Sequence, residues 1–224
     1  MKNKTILIHV KSDEALNNYI ELVKGGSEDQ YEYSKEIQVM ITEFMNSNWT
    51  CYLATIENFK PDSGIIHKVF CINDLSSQDM DIETLNSNIS VMIIRNIGPI
   101  EKNYDMIQNY LQFIVHNYKG LALNNPKAML KGMSKNYLVD INPDDLANLG
   151  VITIPTRTFS TSVHYDEIQK IYGEQMDKYL IKPLSGELSN SLKCLSDIDE
   201  DFFRHKENKV QGWIIQPIQP EIWD

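Results

Sequence analysis

Tyr179-Leu180-Ile181-Lys182-Pro183-Leu184 reads as an apolar strand with a lysine and a proline near its end. Burying a lysine at a strand end is costly unless its ammonium meets an anion. The alternative is a strand-end lysine that reaches water. Ser185-Gly186-Glu187-Leu188-Ser189-Asn190-Ser191 follows as a loop, and two more β-like stretches come after it, at 192–195 and 212–218. A loop of that kind can fold over an anion through backbone N–H groups. With Gly186 its only glycine, it reads equally well as a plain hairpin connection. Strands that succeed one another without long helices predict an antiparallel or mixed sheet, hence an α+β unit.

Beyond that loop, Gln216-Pro217-Ile218-Gln219-Pro220-Glu221-Ile222 continues the stretch at 213–215. Its two prolines remove backbone donors and hold the chain extended. Such a segment can present backbone groups to a flat ring and a carboxylate to a sugar, or serve simply as a linker. Upstream, residues 165–172 read as a short helix, and 151–155 as a strand ended by Pro155. Asn142-Pro143-Asp144 opens a turn or short helix. Asn125 and Pro126 suit the N-cap and first position of another helix, with Met129, Leu130, Met133 and Tyr137 along one face.

The first half alternates strand and helix. Strands are expected at 5–10, 49–56, 67–72, 90–94 and 120–123. A helix over 32–48 follows from Ile37, Met40, Ile41, Phe44 and Met45, and another over 104–118 from Tyr104, Ile107, Leu111, Ile114 and Tyr118. Residues 79–85 suit a shorter helix. This order predicts a mostly parallel sheet with helices on its faces. The expected division is 1–120, a Rossmann-like α/β domain, and 121–224, an α+β domain.

Composition bounds the function classes. The 224 residues are 42% hydrophobic, as in an ordinary globular protein. The formal net charge of −10 repels nucleic acid and anionic membranes, so neither is expected as a partner. No apolar run approaches the ~20 residues of a membrane span. Cys51, Cys71 and Cys194 are odd in number and widely spaced, which suits buried thiols in a reducing, cytoplasmic setting. Without a Cys-x-x-Cys or His-x-x-x-His pair, no structural zinc site is expected.

The order of these pieces resembles the ATP-grasp ligases, and the glutathione synthetase type in particular. The matching residues are Arg95 after the apolar run 91–94, Asn124-Asn125-Pro126, Lys135, Pro155-Thr156, Lys182-Pro183, Gly186 in its loop, and Gln216 with Pro220-Glu221. The ligases that add glutamate to peptides or proteins are similar too, through Arg95-Asn96-Ile97-Gly98. The resemblance covers about residues 90–224 in motif and the earlier part only in pattern. It implies ATP as cofactor, with Lys135, Lys182 and Gly186 at the phosphates. Gln216, Pro217 and Ile218 would lie at the adenine and Glu221 at the ribose. Arg95 would hold a small carboxylate or peptide substrate, with a surface ion pair as its alternative role. It also implies that the chain stops at the adenine hinge, before the acidic residues that hold magnesium (Mg2+). A truncated end of that kind leads us to expect self-association through residues 213–224. The activity implied is ATP-dependent joining of a carboxylate to an amine. A nucleotide-binding or protein-interaction module without catalysis is the other reading.

Overall fold

A computed structural model describes residues 4–25, 35–95, 97, 100–150, 153–185, 192–204 and 211–219. The chain divides into two compact units. The first comprises residues 1–98 and 105–130, the second residues 99–104 and 131–224.

In the first unit, β1 (Thr5–His9) is buried along its whole length. It pairs in parallel with β2 (Thr50–Ala54) on one side and β6 (Val91–Ile93) on the other, and β6 pairs in parallel with β7 (Leu121–Leu123). Continuous burial is what a central parallel strand requires, because both of its faces are covered. The sheet is less uniformly parallel than expected. Beyond β2 lie β4 (Ile65–Cys71) and its partners β3 (Phe59–Lys60) and β5 (Ser76–Met80), all antiparallel. Residues 72–75 join β4 to β5 too closely for the dozen or more residues that a parallel crossover needs.

Helices α1 (Asp13–Val23), α2 (Lys35–Asn46), α3 (Ile82–Asn88) and α4 (Ile100–Asn117) accompany this sheet. The sequence reading had no helix at α1. Ser12 caps it by accepting from the Ala15 N–H at 3.2 Å, and Leu16 and Tyr19 enter the core. Ile37 and Ile41 of α2 join the same core. Helix α5 (Pro126–Gly132) starts where Asn125 Oδ1 accepts from the Lys127 N–H at 2.9 Å. It does not continue to Tyr137 as the apolar spacing suggested. The chain turns after Gly132, and α6 (Tyr137–Asp140) is a separate short helix.

In the second unit, α7 (Pro143–Ala147) precedes β8 (Arg157–Phe159), and α8 (Tyr165–Tyr172) precedes β9 (Tyr179–Pro183). β10 (Lys193–Cys194), α9 (Glu200–Arg204) and β11 (Trp213–Pro217) complete it. The strands form an antiparallel sheet in the order β10-β9-β11-β8. The strand expected over 151–155 lies later. Residues 153–155 are not in a strand, and 151–152 are outside the described residues. Pro155 has no N–H to give a ladder, and pairing to β11 begins only at Arg157.

β11 is interior, flanked by β9 and β8, and Trp213, Ile214 and Ile215 are at most 1% exposed. The open edge expected of this strand is therefore absent. The remainder of the segment expected to associate, from Pro220 on, is outside the described residues. Gly212 allows the interior position. At φ +106° it sits in the left-handed region, and a Cβ there would lie 2.2 Å from the Phe159 carbonyl oxygen. Cys51 and Cys71 are buried and Cys194 is half-buried, all three as free thiols. Among the described residues no helix is long and apolar enough to cross a membrane.

Candidate functional site

Side chains alternate between the two faces of a strand. In β9, Ile181 belongs to the second unit's core, together with Ile168, Trp213 and Ile215. Lys182 therefore stands on the opposite face. Its cross-strand partner is Ile214, which in turn faces Thr158 of β8, while Leu180 faces Gln216. Lys182 is half-buried. Desolvation pushes its ammonium below the ordinary lysine pKa, and among the described residues no carboxylate pairs with it. A half-desolvated cation without a counter-charge is the electrostatic arrangement that an anionic ligand completes.

Lys135 comes to the same end of β9. It lies in the turn between α5 and α6, not on a helix. Its N–H donates to the Leu184 carbonyl at 2.9 Å, and its Nζ donates to the Pro183 carbonyl at 3.4 Å. Two lysines 47 positions apart in sequence thus meet within three residues of one strand end. The next residue, Ser185, is fully buried, and its Oγ has no hydrogen-bond partner among the described residues. Nothing in the sequence marks this serine, because only its burial makes an unpartnered hydroxyl costly. Gly186 lies outside the described residues.

Gln216 is brought to Thr156, 60 positions away, and its Nε2 donates to the Thr156 hydroxyl at 2.7 Å. That hydroxyl donates in turn to the Ile154 carbonyl at 2.9 Å. Pro217 has no N–H, and the Ile218 N–H is held by the Lys178 carbonyl at 2.8 Å. At Pro217 and Ile218 the backbone can therefore offer a ring acceptors and no further N–H. Glu221 lies outside the described residues.

Arg95 belongs to the first unit, two residues past the end of β6. The carbonyls before it are anchored. Ile93 O is held by His9 Nδ1 at 3.1 Å, and Ile94 O accepts from Asn124 Nδ2 at 2.8 Å. The guanidinium is engaged with Glu36 at 2.5 Å. The ion pair weighed as Arg95's alternative role is thus present. Glu36 is 71% exposed, so solvent screens the pair. Replacing Glu36 with glutamine is expected to change stability by at most about 1 kcal/mol. A loss of several kcal/mol in urea unfolding would instead make the pair a structural tie.

The magnesium that the resemblance implies needs several oxygen ligands around one point. Among the described residues no group of three His, Cys, Asp or Glu side chains could hold a metal ion. The residues described do not fit that ion.

No family model matches the sequence, and no curated protein does. Solved structures do. D-alanyl-alanine synthetase A from Vibrio cholerae O1 biovar eltor aligns at 12% identity and TM-score 0.47, over 97% of this chain and 59% of that one. D-alanine-D-alanine ligase from Helicobacter pylori aligns at 10% identity and TM-score 0.48, over 97% and 64%. The ATP-grasp ligase PsnB, complexed with minimal precursor, aligns at 10% identity and TM-score 0.39, over 96% and 64%. The chain thus spans less than two-thirds of each of these structures. Likeness at this level assigns no residue a role.

Proposed function

We propose that the second unit is the nucleotide-binding part of an ATP-dependent carboxylate–amine ligase. The observation that carries this reading is the approach of Lys135 to the end of β9 that also carries Lys182. Two ammonium groups there supply point charges for a polyphosphate. The half-buried setting makes each worth more than in water. The acceptor-rich chain at Pro217 and Ile218 suits the exocyclic amine of adenine, which donates. Gly186 and Glu221 complete the proposed site, at the phosphates and the ribose.

In the reaction class proposed, a carboxylate oxygen attacks the terminal phosphorus of ATP and ADP leaves. An amine then attacks the acyl carbon, inorganic phosphate leaves, and an amide remains. The chain's own share is positioning and charge stabilisation. Arg95, at a strand's carboxyl end where open α/β sheets bind ligands, is proposed to hold the carboxylate by exchanging Glu36 for it. The motif order in the sequence favours a glutathione synthetase-like subtype, with the peptide and protein glutamate ligases as its neighbours.

Titration of wild type, Lys182→Ala and Glu221→Ala with ATP, ADP and adenosine tests the site. Lys182→Ala is expected to weaken ATP and ADP by ~1.5–3 kcal/mol, about ten- to hundredfold, and to leave adenosine nearly unchanged. Glu221→Ala is expected to weaken all three. Identical affinities of wild type and Lys182→Ala for ATP would remove the centre of this reading.

A further inference from the structure

The face of the second sheet that carries the core holds a recess of about 490 Å³, within the size range of small-molecule sites. Ile215 and Pro217 of β11, Arg157 of β8, Tyr179 of β9, and Ile171 and Tyr172 of α8 line it. Register places it opposite Lys182. Arg157 pairs across the ladder with Ile215, and Ile215 with Ile181, so all three side chains share the face that Lys182 leaves. The recess thus lies on the face away from Lys182; it shares Pro217 with the segment proposed for the adenine, and its Arg157, Tyr172 and Tyr179 lining does not depend on that reading.

Its lining has three parts. Ile215, Pro217 and Ile171 give an apolar surface, and Ile171 is 43% exposed although it lies beside the core. Tyr172 and Tyr179 form an aromatic wall, with ring centroids 4.6 Å apart and planes tilted by 58°. Among the described residues neither phenol has a hydrogen-bond partner. Arg157 supplies the charge. Its Cζ lies 5.3 Å from the centroid of the Phe159 ring, which orients the guanidinium. Burial raises the pKa of the Tyr172 phenol, and Arg157 opposes that rise only in part. Among the described residues no carboxylate pairs with Arg157. In a chain of net charge −10, where acidic side chains outnumber basic ones, a guanidinium left without a carboxylate beside apolar and aromatic surface is the notable feature. A guanidinium recognises a planar carboxylate by two parallel hydrogen bonds, and flat aromatic walls recognise a ring.

We propose that this recess binds a small aromatic carboxylate, with its ring against Tyr172, Tyr179 and Ile215 and its carboxylate on Arg157. 2-Naphthoate is a suitable probe, and 2-naphthamide has the same shape without the charge. Titration of the full chain, followed by NMR of the isoleucine methyl groups, is expected to show naphthoate binding with Kd on the order of 1 mM and shifting Ile171 and Ile215. Naphthamide is expected to bind about tenfold more weakly. Arg157→Gln is expected to bring naphthoate down to the level of the amide and to leave the amide unchanged, while Arg157→Lys keeps part of the difference. Lys182→Ala is expected to leave naphthoate binding as it is. Equal binding of acid and amide, undiminished binding to Arg157→Gln, loss of binding in Lys182→Ala, or no shift of Ile171 and Ile215 would each overturn the proposal. Arg157 is exposed, so its variants are expected to keep the wild-type melting curve, which is recorded alongside.

Discussion

Trp213→Ala is expected to destabilise the second unit by about 3–5 kcal/mol. Trp213 is the largest fully buried side chain of the molecule as described. Its ring packs against Phe202 at 4.9 Å and Phe203 at 5.4 Å between centroids, and those two meet edge to face at 5.4 Å. It also stands at the point where β11 faces Pro183 of β9 and Phe159 of β8. Truncation to alanine therefore removes contacts to three elements at once and leaves a cavity that the sheet cannot close, since its backbone is fixed by pairing on both sides. The indole N–H complicates the balance, because among the described residues it has no partner. A buried donor without an acceptor costs about 1–3 kcal/mol. Trp213→Phe deletes that donor and keeps a ring, so its loss is expected to stay below about 1.5 kcal/mol. The two units need not unfold together, which makes a single global midpoint an unsafe readout. Hydrogen exchange of the β9 and β11 amides reads the effect locally. Unchanged protection of those amides in Trp213→Ala would show that the aromatic cluster is not what holds this sheet.

Much of the fold was legible, for identifiable reasons. Helix α8 ran over the residues expected because Gly173, at φ +50°, ends it where no other residue sits easily. The succession β9, β10, β11 was readable because apolar runs of strand length lay close together, and it gave the antiparallel sheet correctly. Helix α1 was missed although its signals are all present. Ser12 stands at the cap, Asp13 and Glu14 in the first turn, and Leu16, Tyr19, Ile20 and Val23 at helical spacing. The antiparallel arm formed by β3, β4 and β5 was not legible. Ser76-Ser77-Gln78-Asp79 carries none of the alternation of a strand, since β5 is exposed over those four positions and is held by its partner β4 alone.

The site divides in the same way. Lys182 was singled out because an apolar strand ending in Lys-Pro is itself an electrostatic anomaly. Lys135 had no local mark, and only the order of motifs around it singled it out. Its approach to Pro183 and Leu184 is a tertiary fact. So is the pairing of Gln216 with Thr156. Ser185 and Arg157 were invisible as candidates because what distinguishes them is an unpartnered hydroxyl in the one and a missing counter-charge in the other, which no sequence pattern encodes. Arg95 shows the converse, in that its place at a strand end was readable while its engagement with Glu36 was not.

Lowering the pH from above 6.5 to 4 is expected to remove on the order of 3 kcal/mol of stability from the first unit through His9 alone. His9 ends β1, is fully buried, and touches groups on two other elements. The Ile93 carbonyl can only accept, so the Nδ1 that meets it at 3.1 Å carries the proton. Nε2 is then the acceptor, and the Tyr110 hydroxyl of α4 donates to it at 2.5 Å. Tyr110 stays protonated, because burial holds its phenol far above the ordinary tyrosine value. Both ring nitrogens are thus satisfied with a neutral imidazole, and a second proton would place a charge where no water reaches. Burial accordingly lowers the pKa of His9 from 6.5 to about 4, against a smaller opposing effect of the Ile93 carbonyl. Above 6.5 both folded and unfolded chains carry a neutral ring, and the contribution to stability is complete. Between 6.5 and 4 the unfolded chain takes up a proton that the native one refuses, so stability falls by up to about 1.4 kcal/mol per pH unit. Below 4 both forms are protonated and the slope from His9 vanishes. Asp13, Asp74, Asp79 and Asp81 have lowered carboxyl pKa values, so their losses begin where that of His9 ends. His9→Phe removes the titration and keeps a ring in the core. Urea unfolding of wild type and His9→Phe at pH 7.5, 6, 5 and 4.5 reads the difference. The gap between the two is expected to shrink steadily in favour of the variant as the pH falls. A constant gap across those conditions would mean that His9 takes up its second proton in the fold at the same pH as in the unfolded chain, with Tyr110 turning its hydroxyl toward Met92 Sδ, 3.7 Å away, to accept from Nε2 instead.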